Sequence, residues 1–171
     1  MNDPLATLCK FFLIFRLSFL LLILVVATPV FSADYAKGVD ASLRGDFMTA
    51  MNEWKPLAEG GGATSQFQVG WLYNEGKGVT KNYETAIKWY LLAAEQGYAY
   101  AQTALGRMYQ GGYGFSQNYI YAYMWFSVAA SRWDKDAENM LDKAAKYLSI
   151  AQLKTAQKLA RECVRKKYKG C

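Results

Sequence analysis

VGWLYNEGKGVTKNYETAIKWYLLAA, residues 69–94, and LGRMYQGGYGFSQNYIYAYMWFSVAA, residues 105–130, are one pattern written twice, 36 residues apart. Val69-Gly70, Tyr73, Gly76, Gly78, Asn82-Tyr83, Ala86, Trp89-Tyr90 and Ala93-Ala94 return as Leu105-Gly106, Tyr109, Gly112, Gly114, Asn118-Tyr119, Ala122, Trp125-Phe126 and Ala129-Ala130. A fixed period of this length marks stacked helical hairpins, because one hairpin cannot bury its apolar face alone and needs a neighbour as its other wall. Within each copy the apolar residues fall at helical spacing, and the glycine pair interrupts them where the chain must turn. The spacing predicts a helix over 63–75, a break at Gly76-Lys77-Gly78, and a partner helix from about Asn82 to a point before Gly97. Asn82 and Asn118 stand where an asparagine oxygen can accept from the free N–H groups of a helix start.

Outward from this core the pattern weakens at both ends. Asp46-Phe47, Ala50, Trp54 and Ala58 stand 36 residues before Asn82-Tyr83, Ala86, Tyr90 and Ala94, but Gly38 precedes Ala50 by 12 positions where Gly70 precedes Ala86 by 16. The first hairpin therefore has a tighter turn, at Arg44-Gly45-Asp46. Gly60-Gly61-Gly62 is either a flexible joint or a close-packed turn. Downstream, Ala137 and Leu141 match Ala101 and Leu105, yet Leu148 and Ile150 occupy the Gly-x-Gly positions. Ser149 with Gln152 reads instead as a capping box opening a last helix over about 150–166. Atypical end hairpins suit a finite stack, whose terminal faces must be polar. The fold class expected is all-α, an α/α superhelix of about four hairpins. Its divisions are a leader over 1–33, a first hairpin over 34–61, two full repeats over 63–97 and 99–133, and a capping hairpin with a basic tail over 134–171.

The leader reading rests on Lys10 and Arg16 ahead of the unbroken apolar run from Phe19 to Ala27, then Pro29 and small residues. That run is short for a membrane span, which needs about 20 residues, although extension back to Phe11 approaches it. A cleaved signal peptide and a retained N-terminal anchor are both open, and export to the periplasm or beyond is the expected localisation. Residues 34–153 carry 11 Lys/Arg against 12 Asp/Glu, whereas 154–171 carry seven against Glu162 alone, so the basic balance belongs to the tail. Those cations complement the negative end of a last helix or form a patch for an anionic surface. Nucleic acid is not the partner expected of an exported chain.

Beyond Cys9, within the leader, the cysteines are Cys163 and Cys171. In continuous helix eight residues span about 12 Å, beyond the roughly 7 Å that a bridge tolerates between Cα atoms. A disulfide therefore requires the helix to stop soon after Cys163 and the chain to turn back, which Gly170 would allow. Free or intermolecular thiols are the alternative.

The two copies, Leu/Val-Gly-x-x-Tyr-x-x-Gly-x-Gly-Val/Phe then Asn-Tyr-x-x-Ala-x-x-Trp-Tyr/Phe-x-x-Ala-Ala, resemble the Sel1-like repeat, a relative of the tetratricopeptide repeat. The resemblance is strong over about 63–133 and weak over 35–61 and 134–163, and the first hairpin is similar to an ordinary tetratricopeptide hairpin. Phe115 replaces the usual valine, and Asn82 and Asn118 replace a common aspartate. The resemblance implies a right-handed superhelix serving as an adaptor or scaffold for protein–protein contacts, in exported bacterial members often at the envelope or host interface. It implies binding through the first helix of each hairpin, which places Phe67, Trp71, Asn74, Tyr100, Thr103, Arg107, Gln110, Asn139, Lys143 and Lys146 on the concave face. Trp71, Arg107 and Lys143 hold equivalent positions, an aromatic anchor beside a cationic row. A protein or peptide partner bearing carboxylates suits that row. For Phe67 and Trp71, packing against the Gly60–Gly62 turn or the first hairpin is the competing role.

Catalysis is not expected. The chain has no histidine, the commonest general base and metal ligand, and no H-E-x-x-H, C-x-x-C or phosphate-cradling lysine loop. Gly111-Gly112-Tyr113-Gly114 mimics a nucleotide loop, but its counterpart Gly76-Lys77-Gly78 marks it as turn geometry. No cofactor or metal is expected. A cysteine-rich branch of the resembled family is linked to penicillin binding, but both full repeats here lack cysteine. A ligand-binding module for peptidoglycan fragments or β-lactams, and a membrane-anchored scaffold, are the alternative readings.

Overall fold

A computed structural model describes residues 35–132 and 134–171, so the leader expected over 1–33 lies outside the described residues. Those residues form helices without a strand: α1 (35–43), α2 (Phe47–Glu59), α3 (Ala63–Glu75), α4 (Tyr83–Ala94), α5 (Ala99–Gly111), α6 (Tyr119–Ala130), α7 (Lys135–Ala145) and α8 (Ile150–Arg165). From α2 to α6 each helix packs on the next in chain order, as a stack of hairpins must. Among the described residues no helix is long and apolar enough to cross a membrane.

The local signals explain the boundaries. Gly76 and Gly112 end α3 and α5 in the left-handed region, at φ 69° and 71°, a conformation that costs a side-chain-bearing residue about 1–2 kcal/mol. Asn82 Oδ1 accepts from the Thr85 N–H at 2.8 Å. Asn118 Oδ1 accepts from the Ile120 and Tyr121 N–H groups at 3.0 and 3.2 Å. Ser149 and Gln152 cap α8 reciprocally.

The glycine of the first helix in each hairpin has a packing role. A Cβ added to Gly38 would lie 2.3 Å from Trp54 Nε1, one on Gly70 2.7 Å from Tyr90 Cδ1, and one on Gly106 2.5 Å from Phe126 Cε1. Each of these three hairpins thus seats an aromatic ring of its second helix directly on the backbone of its first. Trp54, Trp125 and Phe126 are almost completely buried, each burial contributing about 2–3 kcal/mol. Buried Gln66 and Gln102, also equivalent, donate across the hairpin boundary to the Ala58 and Ala94 carbonyls, both at 3.1 Å. Neighbouring hairpins are therefore joined by a repeated hydrogen bond as well as by apolar contact.

The last pair departs from the repeat. Both α7 and α8 pack on α6 and make little contact with one another. Ala122, Tyr123 and Phe126 of α6 share a cluster with Ala144 of α7 and Ala156 of α8, and the two alanines, both 0% exposed, admit close approach. The connection runs Leu148-Ser149-Ile150, without the glycine pair that folds the earlier hairpins shut.

Candidate functional site

The first helices of the two full repeats, α3 and α5, border a groove of about 370 Å³ that the start of α7 closes. This is the lower end of the range for small-ligand pockets, about 300–1,000 Å³. Phe67 forms the hub of its aromatic wall, with ring centroids 5.6 Å from Tyr90, 5.4 Å from Tyr98 and 6.2 Å from Tyr100. Trp71 has two roles: it lines the groove and meets the Phe47 ring of the first hairpin edge-on at 5.9 Å. Tyr113, from the glycine turn after α5, stacks on Tyr83 at 5.3 Å and supplies another lining ring. Tyr90 is 2% exposed, and burial first, the nearby Glu75 charge second, push its hydroxyl well above the ordinary tyrosine range. It stays a neutral phenol at any physiological pH.

Carboxylates supply most of the lining charge. Glu75, Asp134 and Asp136 line the groove against one cation, Arg107. Asn74 donates to Glu75 Oε1 at 2.6 Å. Asp134, only 8% exposed, accepts from the Thr103 hydroxyl at 2.7 Å through Oδ2 and caps α7 through Oδ1, from the Asp136 N–H at 3.0 Å. Asp134 thereby ties the start of α7 to α5. Arg107 pairs with Asp136 at 3.5 Å.

Six of the residues expected on the binding face do line this groove: Phe67, Trp71, Asn74, Tyr100, Thr103 and Arg107. One expectation needs correction. Thr103 is not an outward contact: it is 5% exposed and its hydroxyl is committed to Asp134. Gln110, Asn139, Lys143 and Lys146 lie outside the lining. On α7 the groove is closed by Asp136, and Lys143 and Lys146 lie seven and ten residues further on, about 10 and 15 Å along the helix. Of the expected cationic row only Arg107 lines the groove, where it faces Asp136. Glu75 was legible four residues after Trp71, on the same helix face. Asp134 holds the helix-start position that Gly62 and Tyr98 hold in the earlier repeats, but its approach to Thr103 depends on how α7 docks.

At the far end of the chain Cys163 and Cys171 are joined by a disulfide, Cα atoms 5.4 Å apart. Helix α8 stops at Arg165, and Lys167 and Tyr168 take positive φ, turning the tail back. The tail docks on the α4–α5 connection, where Lys169 pairs with Glu95 at 3.3 Å and the Gly170 N–H donates to Glu95 at 3.3 Å, and on the α6–α7 connection, where Arg132 donates to the Tyr168 hydroxyl at 3.2 Å. Among the described residues no group of three or more histidine, cysteine, aspartate or glutamate side chains is placed to hold a metal ion.

Stacked hairpins with a side groove and a structural disulfide define an α/α helical-repeat protein. Residues 63–98 and 99–132 match the family profile of the Sel1 repeat, and the chain carries two Sel1 repeats flanked by divergent end helices. The fold is similar to the crystal structure of a protective antigen present in uropathogenic Escherichia coli strains displaying an SLR fold, with TM-score 0.75 and 27% identity over 81% of this chain and 30% of that one. It is also similar to a Sel1 repeat protein from Oxalobacter formigenes, with TM-score 0.60 and 36% identity over 63% of this chain and 44% of that one. The chain thus spans less than half the length of either. No curated protein matches it. Sel1-repeat proteins are generally non-catalytic scaffolds for protein–protein interaction.

Proposed function

We propose that this protein is an exported scaffold that captures an extended segment of another protein in the groove between α3 and α5, without a catalytic role. The observation that carries the reading is the groove itself, where rings from several helices converge on one opening beside polar groups. Aromatic side chains combine large contact area with little rotamer freedom and are favoured anchors at interfaces. Export is supported by the cationic and apolar pattern of residues 1–33 and by the disulfide, which persists in oxidising compartments. The similarity to a protective antigen of uropathogenic strains fits a role at the bacterial envelope or host interface.

Site-specific photo-crosslinking tests the reading. A photoreactive residue in place of Tyr100, in the groove, is compared with one in place of exposed Lys158 on α8. Partner adducts are expected from position 100 and not from 158. Adducts formed from 158 alone would overturn the proposal.

A further inference from the structure

The lining of the groove says more about its occupant than that it is a peptide. Three carboxylates and one guanidinium share a space walled by Phe67, Trp71, Tyr90 and Tyr100. The guanidinium already faces Asp136. Lys77 and Lys81 lie over the Phe47 and Tyr83 rings at 4.9 and 5.4 Å, outside the lining. The lining itself, three carboxylates against one guanidinium, carries net negative charge, and its rings present electron-rich faces. A cation beside carboxylates and an aromatic face is favoured by both, more strongly as water is displaced.

We propose that the groove is a receptor for the ammonium or guanidinium of a lysine or arginine in the captured segment, seated against Trp71 and Tyr100 and balanced by Glu75 and Asp136. The inference rests on the reading of the groove as a peptide-binding site and reverses the acidic preference drawn from the sequence. The volume matches one long side chain with its flanking backbone rather than a folded surface. A carboxylate-bearing segment would enter a lining whose net charge stays negative, because the Arg107–Asp136 pair offsets only one of its three carboxylates. Asp134 contributes differently, because its oxygens are committed to Thr103 and to the start of α7: it fixes the wall and adds to the field.

The test uses the full chain and four dye-labelled, end-blocked peptides, Gly-Leu-X-Leu-Gly, with X lysine, arginine, norleucine or glutamate, titrated by fluorescence anisotropy. The lysine and arginine peptides are expected to bind about tenfold more tightly than the norleucine isostere, with glutamate weakest. The variant Glu75→Gln with Asp136→Asn is expected to bring that ratio close to one by weakening the lysine and arginine peptides. Equal affinity for lysine and norleucine, a preference that survives the double variant, or no binding of any peptide each overturns the inference. Crosslinking from position 100 is read separately, so a cation-indifferent groove that still captures a partner is distinguishable from no peptide site. Sedimentation of the protein alone separates the source of the cation: self-association lost on Asp136→Asn would place a second copy's basic 154–171 segment in the groove, which supports a cation receptor and overturns capture of a different protein.

Discussion

Gly106→Ala places the repeat logic under direct strain. The added Cβ would lie 2.5, 2.6 and 3.0 Å from Phe126 Cε1, Cδ1 and Cζ, nearly 1 Å inside ordinary van der Waals contact. Phe126 cannot retreat, because it is completely buried and clustered with Ala144 and Ala156 of the helices packed beyond it. Overpacking of this kind costs about 1–3 kcal/mol, and the rigid backing puts it at the upper end. Alanine returns about 1 kcal/mol in helix propensity, leaving a net loss of about 2 kcal/mol. For a domain of this size that lowers Tm by on the order of 5–8 °C. The equivalent Gly70→Ala would meet Tyr90 at 2.7 Å, but Tyr90 borders the groove and can move toward open space, so its loss should be smaller. Thermal unfolding followed by circular dichroism checks both values and their order. A double-mutant cycle with Phe126→Leu should show that the smaller side chain relieves the Gly106→Ala penalty by at least about 1 kcal/mol. A Gly106→Ala protein as stable as the parent, or a costlier Gly70→Ala, would refute the ring-on-backbone account.

Reduction of the Cys163–Cys171 bridge, or Cys163→Ser with Cys171→Ser, removes a short loop constraint worth about 2.5 kcal/mol in the chain-entropy description. It should also free the tail from Glu95, lowering Tm in reductant and leaving residues 166–171 open to protease; an unchanged melt and cleavage pattern would refute this. Burial is the largest cause raising the hydroxyl pKa of Tyr90, Tyr98 and Tyr109 above the free value of 10.0. The folded state holds these protons more tightly than the unfolded one, so the associated stability is fully present below pH 10 and is lost as pH rises beyond it. Phenolate absorbance should therefore rise in two stages, the second coinciding with loss of helical dichroism. A single stage with helicity intact would contradict the burial.

Much of the fold was legible because its cause is local and repeated. Gly76, Gly112, Asn82 and Asn118 act through their own backbone neighbourhoods, and a 36-residue period exposes them without any knowledge of packing. The pairing of Gly38, Gly70 and Gly106 with Trp54, Tyr90 and Phe126 follows the same period once the shorter first turn is allowed for. The period fails where the stack ends. Extending it to α7 placed Lys143 beside Arg107 and Trp71, but α7 rests on α6 and presents its N-terminus, not its middle, to the groove.

That single change of contact reverses the electrostatic reading of the site. A helix N-terminus recruits acidic residues for reasons internal to the helix, capping and dipole complementarity. Asp134 and Asp136 meet those needs, and the same charges then face Trp71 and Tyr100 across the opening. The sequence shows the acids and the rings, but the distance between them is set by the docking of α7 on α6 through Ala144. On the proposed reading, the binding preference of the groove is a consequence of how the solenoid is capped: the device that terminates the stack also supplies the field proposed to select its partner.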